Sequence, residues 1–78
     1  MNFDGVEYSF LVASDVHLRD GLGFEVYRHS DKKEFVLEVF RDDGKLQYVV
    51  SQFVPQLPLS LIEHVAKVAR EELGGFVA

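Results

Sequence analysis

Apolar residues that recur at every second position mark three segments of the chain as strands. The clearest is residues 6–13, and the same period of two recurs in residues 24–29 and 34–41. One face of the first segment carries Val6, Tyr8, Phe10 and Val12. Residues 30–33 are polar, and a short polar connection between two such segments predicts a β-hairpin.

A second hairpin is predicted at Asp43 and Gly44, because Asp-Gly readily adopts the left-handed φ values of a two-residue turn. The pairing that follows places apolar residues opposite each other on one face: Val39 with Tyr48, and Leu37 with Val50. A fourth strand therefore follows this turn. Pro55 ends it, because proline cannot donate a hydrogen bond to a neighbouring strand.

The period changes to that of an α-helix after Pro58. Ser60 and Glu63 match the S-x-x-E capping box, unless Pro58 already lies in the first helical turn. Gly74 is the expected left-handed stop. The apolar side chains that fall on one side of this helix are Leu61, Ile62, Val65, Ala66, Val68, Ala69 and Leu73.

These elements predict one α+β domain over residues 1–78. A four-stranded antiparallel meander is followed by one C-terminal helix that packs on one face of the sheet, in the order β-β-β-β-α. No linker, internal repeat or change of composition divides the chain. The helix is expected to cover the face that is richer in apolar residues.

The opposite face of this sheet still carries large apolar residues. They are Leu11, Tyr27, Val36, Phe40, Val49 and Phe53. Full burial of one such side chain contributes about 1.5–3 kcal/mol, so we expect this face to form an interface, either in a homodimer or with an unidentified protein partner. The alternative is that strand twist and the chain's own Phe76 and Val77 cover much of it.

Composition narrows the range of functions. The formal net charge of −5 opposes binding to nucleic acid and to anionic lipid, which both require concentrated basic residues. The absence of cysteine excludes a disulfide framework and zinc sites that need thiolates. No apolar run reaches the roughly 18 residues of a membrane span, and the N-terminal residues do not resemble a signal peptide. We therefore expect an acidic, cytoplasmic protein.

The strongest candidate for chemistry is the string S-D-V-H-L at residues 14–18. It resembles the first motif of the calcineurin-like metallophosphoesterases, in which an Asp and a His two residues later bind a metal ion. The resemblance implies Asp15 and His17 as ligands, and Asp20 extends the pattern to D-x-H-x-x-D. The family's other motifs, G-D, G-N-H-[DE] and G-H-x-H, are missing from the chain. A metal-binding or hydrolytic domain that uses these three residues is the alternative function.

Other catalytic and cofactor motifs are incomplete. Gly21 and Gly23 begin a glycine pattern for phosphate binding, but Val26 occupies the position of its third glycine. None of the serines lies in a G-x-S-x-G elbow. We therefore predict a non-enzymatic protein without catalytic residues or a cofactor.

The second half of the chain resembles the HicB-like antitoxins. The resemblance rests on residues 48–51, Tyr-Val-Val-Ser, followed by Phe53, Pro55, Leu57 and a helix. It implies a small acidic protein, antitoxin-like or immunity-like, that binds and neutralises another protein. This is a second form of the protein-binding hypothesis.

Overall fold

The computed structural model of the protein describes residues 1–14 and 20–77. In this part of the chain, five strands form one antiparallel sheet in sequence order, and a helix follows. The elements are β1 (Asn2–Phe3), β2 (Val6–Ser14), β3 (Gly21–His29), β4 (Lys33–Asp42), β5 (Gln47–Gln52) and α1 (Leu59–Leu73). The predicted α+β class, the meander and the C-terminal helix are confirmed. The sheet has five strands, however, and the predicted number of four is wrong.

The additional strand, β1, depends on a tight turn at Asp4 and Gly5. Both residues have positive φ, at 54° and 78°, and they return the chain so that Phe3 pairs with Val6. No strand was predicted before Val6. Two residues are too few to show a period of two, so the sequence pattern could not reveal β1.

The connection between β4 and β5 is longer than the two-residue turn predicted at Asp43 and Gly44. Val39 pairs with Val50, so the pairing is displaced by two residues, and the connection covers residues 43–46. A displacement by two keeps every side chain on the face predicted for it, because side chains alternate with a period of two. The predicted faces of β5 are therefore correct although its register is not.

A β-bulge on β4 reverses two of the predicted orientations. Val26 pairs with Leu37, whereas the next residue, Tyr27, pairs with Phe35, which leaves Val36 as an additional residue on β4. Val36 is completely buried in the core. Phe35 lies instead beside Tyr27 on the opposite face. The prediction that Val36 belongs to an exposed face is therefore wrong.

The helix α1 packs against β3 and β4. We call the side of the sheet that it covers the inner face and the other side the outer face. The buried helix positions are spaced four residues apart: Leu61, Val65, Ala69 and Leu73. They contact inner-face residues and neighbouring core residues of the sheet, including Tyr8, Phe24, Val26, Val36, Leu37 and Val39. This helix–sheet layer is the hydrophobic core.

Of the two signals predicted for the ends of α1, the glycine stop is formed and the capping box is not. Pro58 precedes the first helical residue and no side chain caps the helix, so the predicted capping box of Ser60 and Glu63 is not formed. The carbonyl of Pro58 accepts the first helical hydrogen bonds instead. At the other end Gly74 has a φ of 69° and its N–H donates to the Arg70 carbonyl, as expected for a glycine stop.

Gly21 begins β3 where the β4 backbone passes very close. Its φ is 154°, and a Cβ atom at this position would lie 1.7 Å from the carbonyl oxygen of Arg41. No side chain can be added there without moving the backbone of β4. The sheet therefore needs glycine at this position.

We expect Gly21→Ala to lower the free energy of unfolding by at least about 2 kcal/mol, because the new methyl group overlaps backbone atoms that cannot rotate away. Urea denaturation followed by circular dichroism measures this. Gly75→Ala is the matched control, since a Cβ there meets no atom within 4 Å; it should change stability by less than about 0.5 kcal/mol. Equal effects of the two substitutions would contradict the close approach.

Candidate functional site

An aromatic row crosses the outer face of the sheet from β3 to β5. The rings of Tyr27 and Phe35 are stacked with centroids 5.1 Å apart, and Phe35 lies 4.8 Å from Phe53. The Lys33 Nζ atom lies 4.5 Å from the centre of the Tyr27 ring, in a cation–π contact. Phe53 remains 54% exposed. The row is thus an apolar strip that α1 cannot reach.

The six residues predicted as an interface differ in exposure. Leu11, Val49 and Phe53 are exposed and Tyr27 is partly exposed, whereas Val36 and Phe40 are 0% and 3% exposed. Phe40 lies on the outer face as predicted, but its ring lies over Gly21, where an added Cβ would be 3.0 Å from Phe40 Cζ. The prediction of an exposed position is therefore wrong for Val36 and Phe40. The interface role of the other four residues stays a prediction.

The middle of the outer face is polar. Glu25 and Glu38 lie directly opposite each other, as the predicted register required. The Tyr27 hydroxyl donates to Glu25 Oε1 at 2.7 Å, and this hydrogen bond, together with desolvation, raises the pKa of Tyr27. Glu38 lies close to Gly23, where an added Cβ would be 2.7 Å from its Oε2 atom. Two carboxylates on neighbouring strands therefore divide the apolar parts of this face.

The edge strand β5 exposes apolar side chains on both faces. Val49 and Phe53 lie on the outer face, Val50 on the inner face is 63% exposed, and Leu46 is exposed just before the strand. We call these four residues the β5 surface. Residues 46–62 contain no charged side chain. Charged residues or proline commonly protect an edge strand from pairing, and β5 itself has neither.

An apolar groove separates β5 from α1 on the inner face. Its volume is about 240 Å³, and its lining consists of Leu37, Val39, Tyr48, Val50, Ile62, Val65, Ala66 and Arg70. The groove exists because α1 packs over β3 and β4. Val50 consequently has no helix above it, and β5 is incompletely covered on its inner face as well.

A buried ion pair fixes the end of β4 to the end of α1. The Arg41 Nη1 atom donates to the carbonyl of Leu73, and Nη2 donates to Asp43 Oδ2 at 3.1 Å. Arg41 Nε lies 3.0 Å from Asp43 Oδ1, an ion-pair distance without hydrogen-bond geometry. Asp43 Oδ1 also accepts the N–H of Val77 at 3.0 Å. We call this group of contacts the clamp; it positions β5 relative to the helix.

The C-terminal residues lie on the inner side of β5. The ring of Phe76 is 5.0 Å from that of Tyr48, whose hydroxyl donates to the Gly74 carbonyl. Val77 is held by the clamp. Phe76 and Val77 therefore lie away from the aromatic row, and the alternative in which they shield the outer face is wrong.

The candidate metal ligands are only partly within the described residues. Asp15 and His17 lie outside them. Asp20 is exposed, and its carbonyl accepts the N–H of Asp43 at 2.9 Å, so its backbone helps to anchor the clamp. Residues 1–14 and 20–77 contain no group of three His, Asp or Glu residues that could hold a metal ion.

A contact between serine and histidine was not predicted. Ser9 Oγ lies 2.7 Å from His29 Nε2 at the exposed end of β2 and β3. Sequence reasoning could have found it from the register, which places Ser9 opposite Tyr27, two residues before His29. Nucleophilic catalysis requires a third group that orients the base, and no carboxylate in the described part of the chain bonds to His29. The pair is a surface hydrogen bond.

Comparison with known proteins assigns this chain to no family. No protein-family model, curated protein or solved structure matches this chain. Among the residues that the structure describes, no helix has the length and apolar character that crossing a membrane requires. The β5 surface and the aromatic row therefore remain the basis for any statement about function.

The clamp predicts a pH dependence of stability. The hydrogen bond from Val77 and the contacts with Arg41 hold the pKa of Asp43 below its usual value. A carboxylate with a lowered pKa stabilises the fold above the pKa it has in the unfolded chain, about 3.9, and this contribution is lost as the pH falls through the lowered value. We expect Asp43→Asn to be less stable than wild type at pH 7, with the difference shrinking below about pH 4. Urea midpoints between pH 7 and pH 2.5 measure it. A constant difference would contradict the role of the carboxylate.

The two phenylalanines of the predicted interface should respond differently to truncation. We expect Phe40→Ala to lower the free energy of unfolding by about 3–5 kcal/mol, because it leaves a cavity at a buried site. Phe53→Ala should cost less than about 1.5 kcal/mol, since its ring is already half exposed and makes mainly one ring contact. Thermal and urea denaturation compare the two. Similar losses would contradict the difference in burial.

Proposed function

We propose that this protein is a non-enzymatic association module, which acts in the cytoplasm by binding another protein chain through the β5 surface. The partner we propose is a second copy of the chain. The observation that carries the proposal is the unprotected edge strand β5, which is uncharged and exposes apolar side chains on both faces. The aromatic row adjoins it through Phe53.

The energetic argument concerns the amount of apolar surface left in water. Full burial of a side chain such as Val50 or Phe53 contributes about 1.5–3 kcal/mol. A small domain has a total stability of about 5–15 kcal/mol. Burying the four residues of the β5 surface against a partner therefore offers a gain comparable to a large share of the domain's own stability.

The charge distribution supports a protein partner. The chain carries a formal charge of −5, yet residues 46–62 are uncharged. An acidic protein repels nucleic acid and anionic membranes, whereas a neutral strand lets a second protein approach without placing like charges together. The absence of cysteine agrees with the reducing cytoplasm as the place of action.

The described residues favour binding over catalysis. The groove beside α1 is lined mainly by aliphatic side chains, and the contact between Ser9 and His29 lies on the open surface. Catalytic acid–base pairs work in enclosed sites, where proton affinities can be adjusted. The proposal therefore includes no reaction.

We expect the wild-type protein to sediment as more than a monomer at micromolar concentration. Phe53→Glu should raise the dissociation constant at least about tenfold, because it places a charge within the apolar surface. Sedimentation velocity across a concentration series measures both. Circular dichroism checks that the variant remains folded.

Leu59→Glu is the matched control, since Leu59 is 71% exposed at the start of α1, outside the β5 surface. It introduces the same charge and should leave the association unchanged. A wild-type protein that stays monomeric at the highest concentration would overturn the proposed function. An equal effect of the two substitutions would remove the β5 surface from it.

A further inference from the structure

The free edge of β5 has a defined set of backbone hydrogen-bonding groups. The N–H of Phe53 donates to the Val36 carbonyl on β4 at 2.9 Å. Alternate residues of an antiparallel strand point to the same neighbour, so the backbone groups of the odd-numbered residues of β5 point toward β4. The N–H and carbonyl groups of Tyr48, Val50 and Gln52 therefore point away from the sheet. No described strand pairs with this side of β5.

These three residues are arranged symmetrically about Val50. We propose that two copies of the chain pair antiparallel along β5 around a two-fold axis at Val50, so that their sheets become one continuous sheet. In this register each copy's Val50 pairs with Val50 of the second copy, and Tyr48 pairs with Gln52. All outward N–H and carbonyl groups of the three residues then form hydrogen bonds. The inference rests on the proposed role in protein association.

The side chains fit this register on both faces. On the inner face the two exposed Val50 side chains meet at the axis, flanked by Tyr48 and Gln52 of opposite copies. On the outer face Val49 lies opposite Ser51. No charged residue occurs in β5, so the self-pairing places no like charges opposite each other. Isologous contacts of this kind close on themselves as dimers.

The carboxylates in the middle of the outer face favour pairing of the two copies by their edges over stacking of their faces. The row that contains Glu25 and Glu38 crosses the middle of this face. Stacking two outer faces would enclose the partly exposed Glu25 of both copies, and enclosing charges of the same sign is costly. Edge pairing leaves Glu25 and Glu38 outside the interface and buries the uncharged strand β5.

The opposite edge of the sheet is covered over the first part of β2, whereas residues 9–14 of β2 pair only with β3 in the described part of the chain. β1 already pairs with β2 at Val6 and Glu7, and the N–H of Tyr8 donates to the Met1 carbonyl at 2.8 Å. Among the described residues, no strand covers any part of the free edge of β5 along Gln47–Gln52. Free hydrogen-bonding groups therefore extend along the whole of β5, whereas on β2 they begin only after Tyr8.

Val50→Pro directly tests the proposed pairing of β5 with β5 of the second copy, which we call the joint. Proline removes an N–H that points away from β4, so each monomer keeps its own hydrogen bonds, while the dimer loses the two bonds at the axis. We expect the dissociation constant from sedimentation to rise at least about tenfold. Leu11→Glu changes an exposed residue of the outer face on β2 and should leave it unchanged. Circular dichroism and thermal melting confirm that both variants are folded.

A cysteine placed at the axis gives a second readout that does not depend on weakening the dimer. The chain has no cysteine, so Val50→Cys is a unique reporter. Residues of a hydrogen-bonded antiparallel pair have Cα atoms about 5.5 Å apart, which is within the range of a disulfide. We expect Val50→Cys to form a cross-linked dimer rapidly under mild oxidation. Val12→Cys, exposed on β2, is the control and should not.

The outcomes separate this inference from the proposed function. A dimer that is lost with Val50→Pro and cross-linked through Val50→Cys supports the joint. A dimer that survives Val50→Pro, is lost with Leu11→Glu, or cross-links through Val12→Cys overturns the joint and leaves self-association standing. A wild-type protein that is strictly monomeric overturns the proposed function and the joint with it.

Discussion

The buried ion pair between Arg41 and Asp43 is the contact on which the arrangement of β5 depends. Enclosing two charges costs desolvation energy, which is offset here by the carbonyl of Leu73 and the N–H of Val77. These bonds join the β4–β5 connection, the end of α1 and the C-terminal residues at one point. Asp43 bonds to Arg41 and Val77 through its side chain and to the Asp20 carbonyl through its N–H, and the connection that contains it covers residues 43–46. The clamp thus holds the start of this longer connection in place.

Two of the three Asp-Gly pairs show how far the sequence predicts this fold. At Asp4-Gly5 the dipeptide forms the two-residue turn that its intrinsic preference favours, whereas at Asp43-Gly44 tertiary contacts override the same preference. Strand positions, their faces and the helix were predictable because hydrophobic periodicity is a local signal. The bulge at Val36 was not, since an additional residue in a strand leaves the alternation on each side intact and is decided by packing.

The presence of apolar residues on the outer face was predictable from the sequence, but the exposure of the individual residues was only partly so. Alternation correctly indicated an outer face with large apolar residues that one helix could not cover. It could not show that the bulge moves Phe35 to this face, or that Gly21 leaves room for the Phe40 ring to be buried there. The exposure of Val50 is likewise a tertiary effect, because it depends on where α1 lies across the sheet. The position of a residue along a strand determines the face on which its side chain lies, whereas the neighbouring residues determine how exposed that side chain is to solvent.

The neutral character of β5 also affects the chain before it has folded. Residues 48–53 combine β-branched and aromatic side chains with no charge, no glycine and no proline, which is the composition that favours stacked cross-β assemblies. Pro55, two residues after this segment, is of a type that interrupts such stacking. Conditions that unfold this protein therefore expose an aggregation-prone segment of six residues. The solubility of the polypeptide during synthesis and refolding consequently depends on how rapidly β5 pairs with β4.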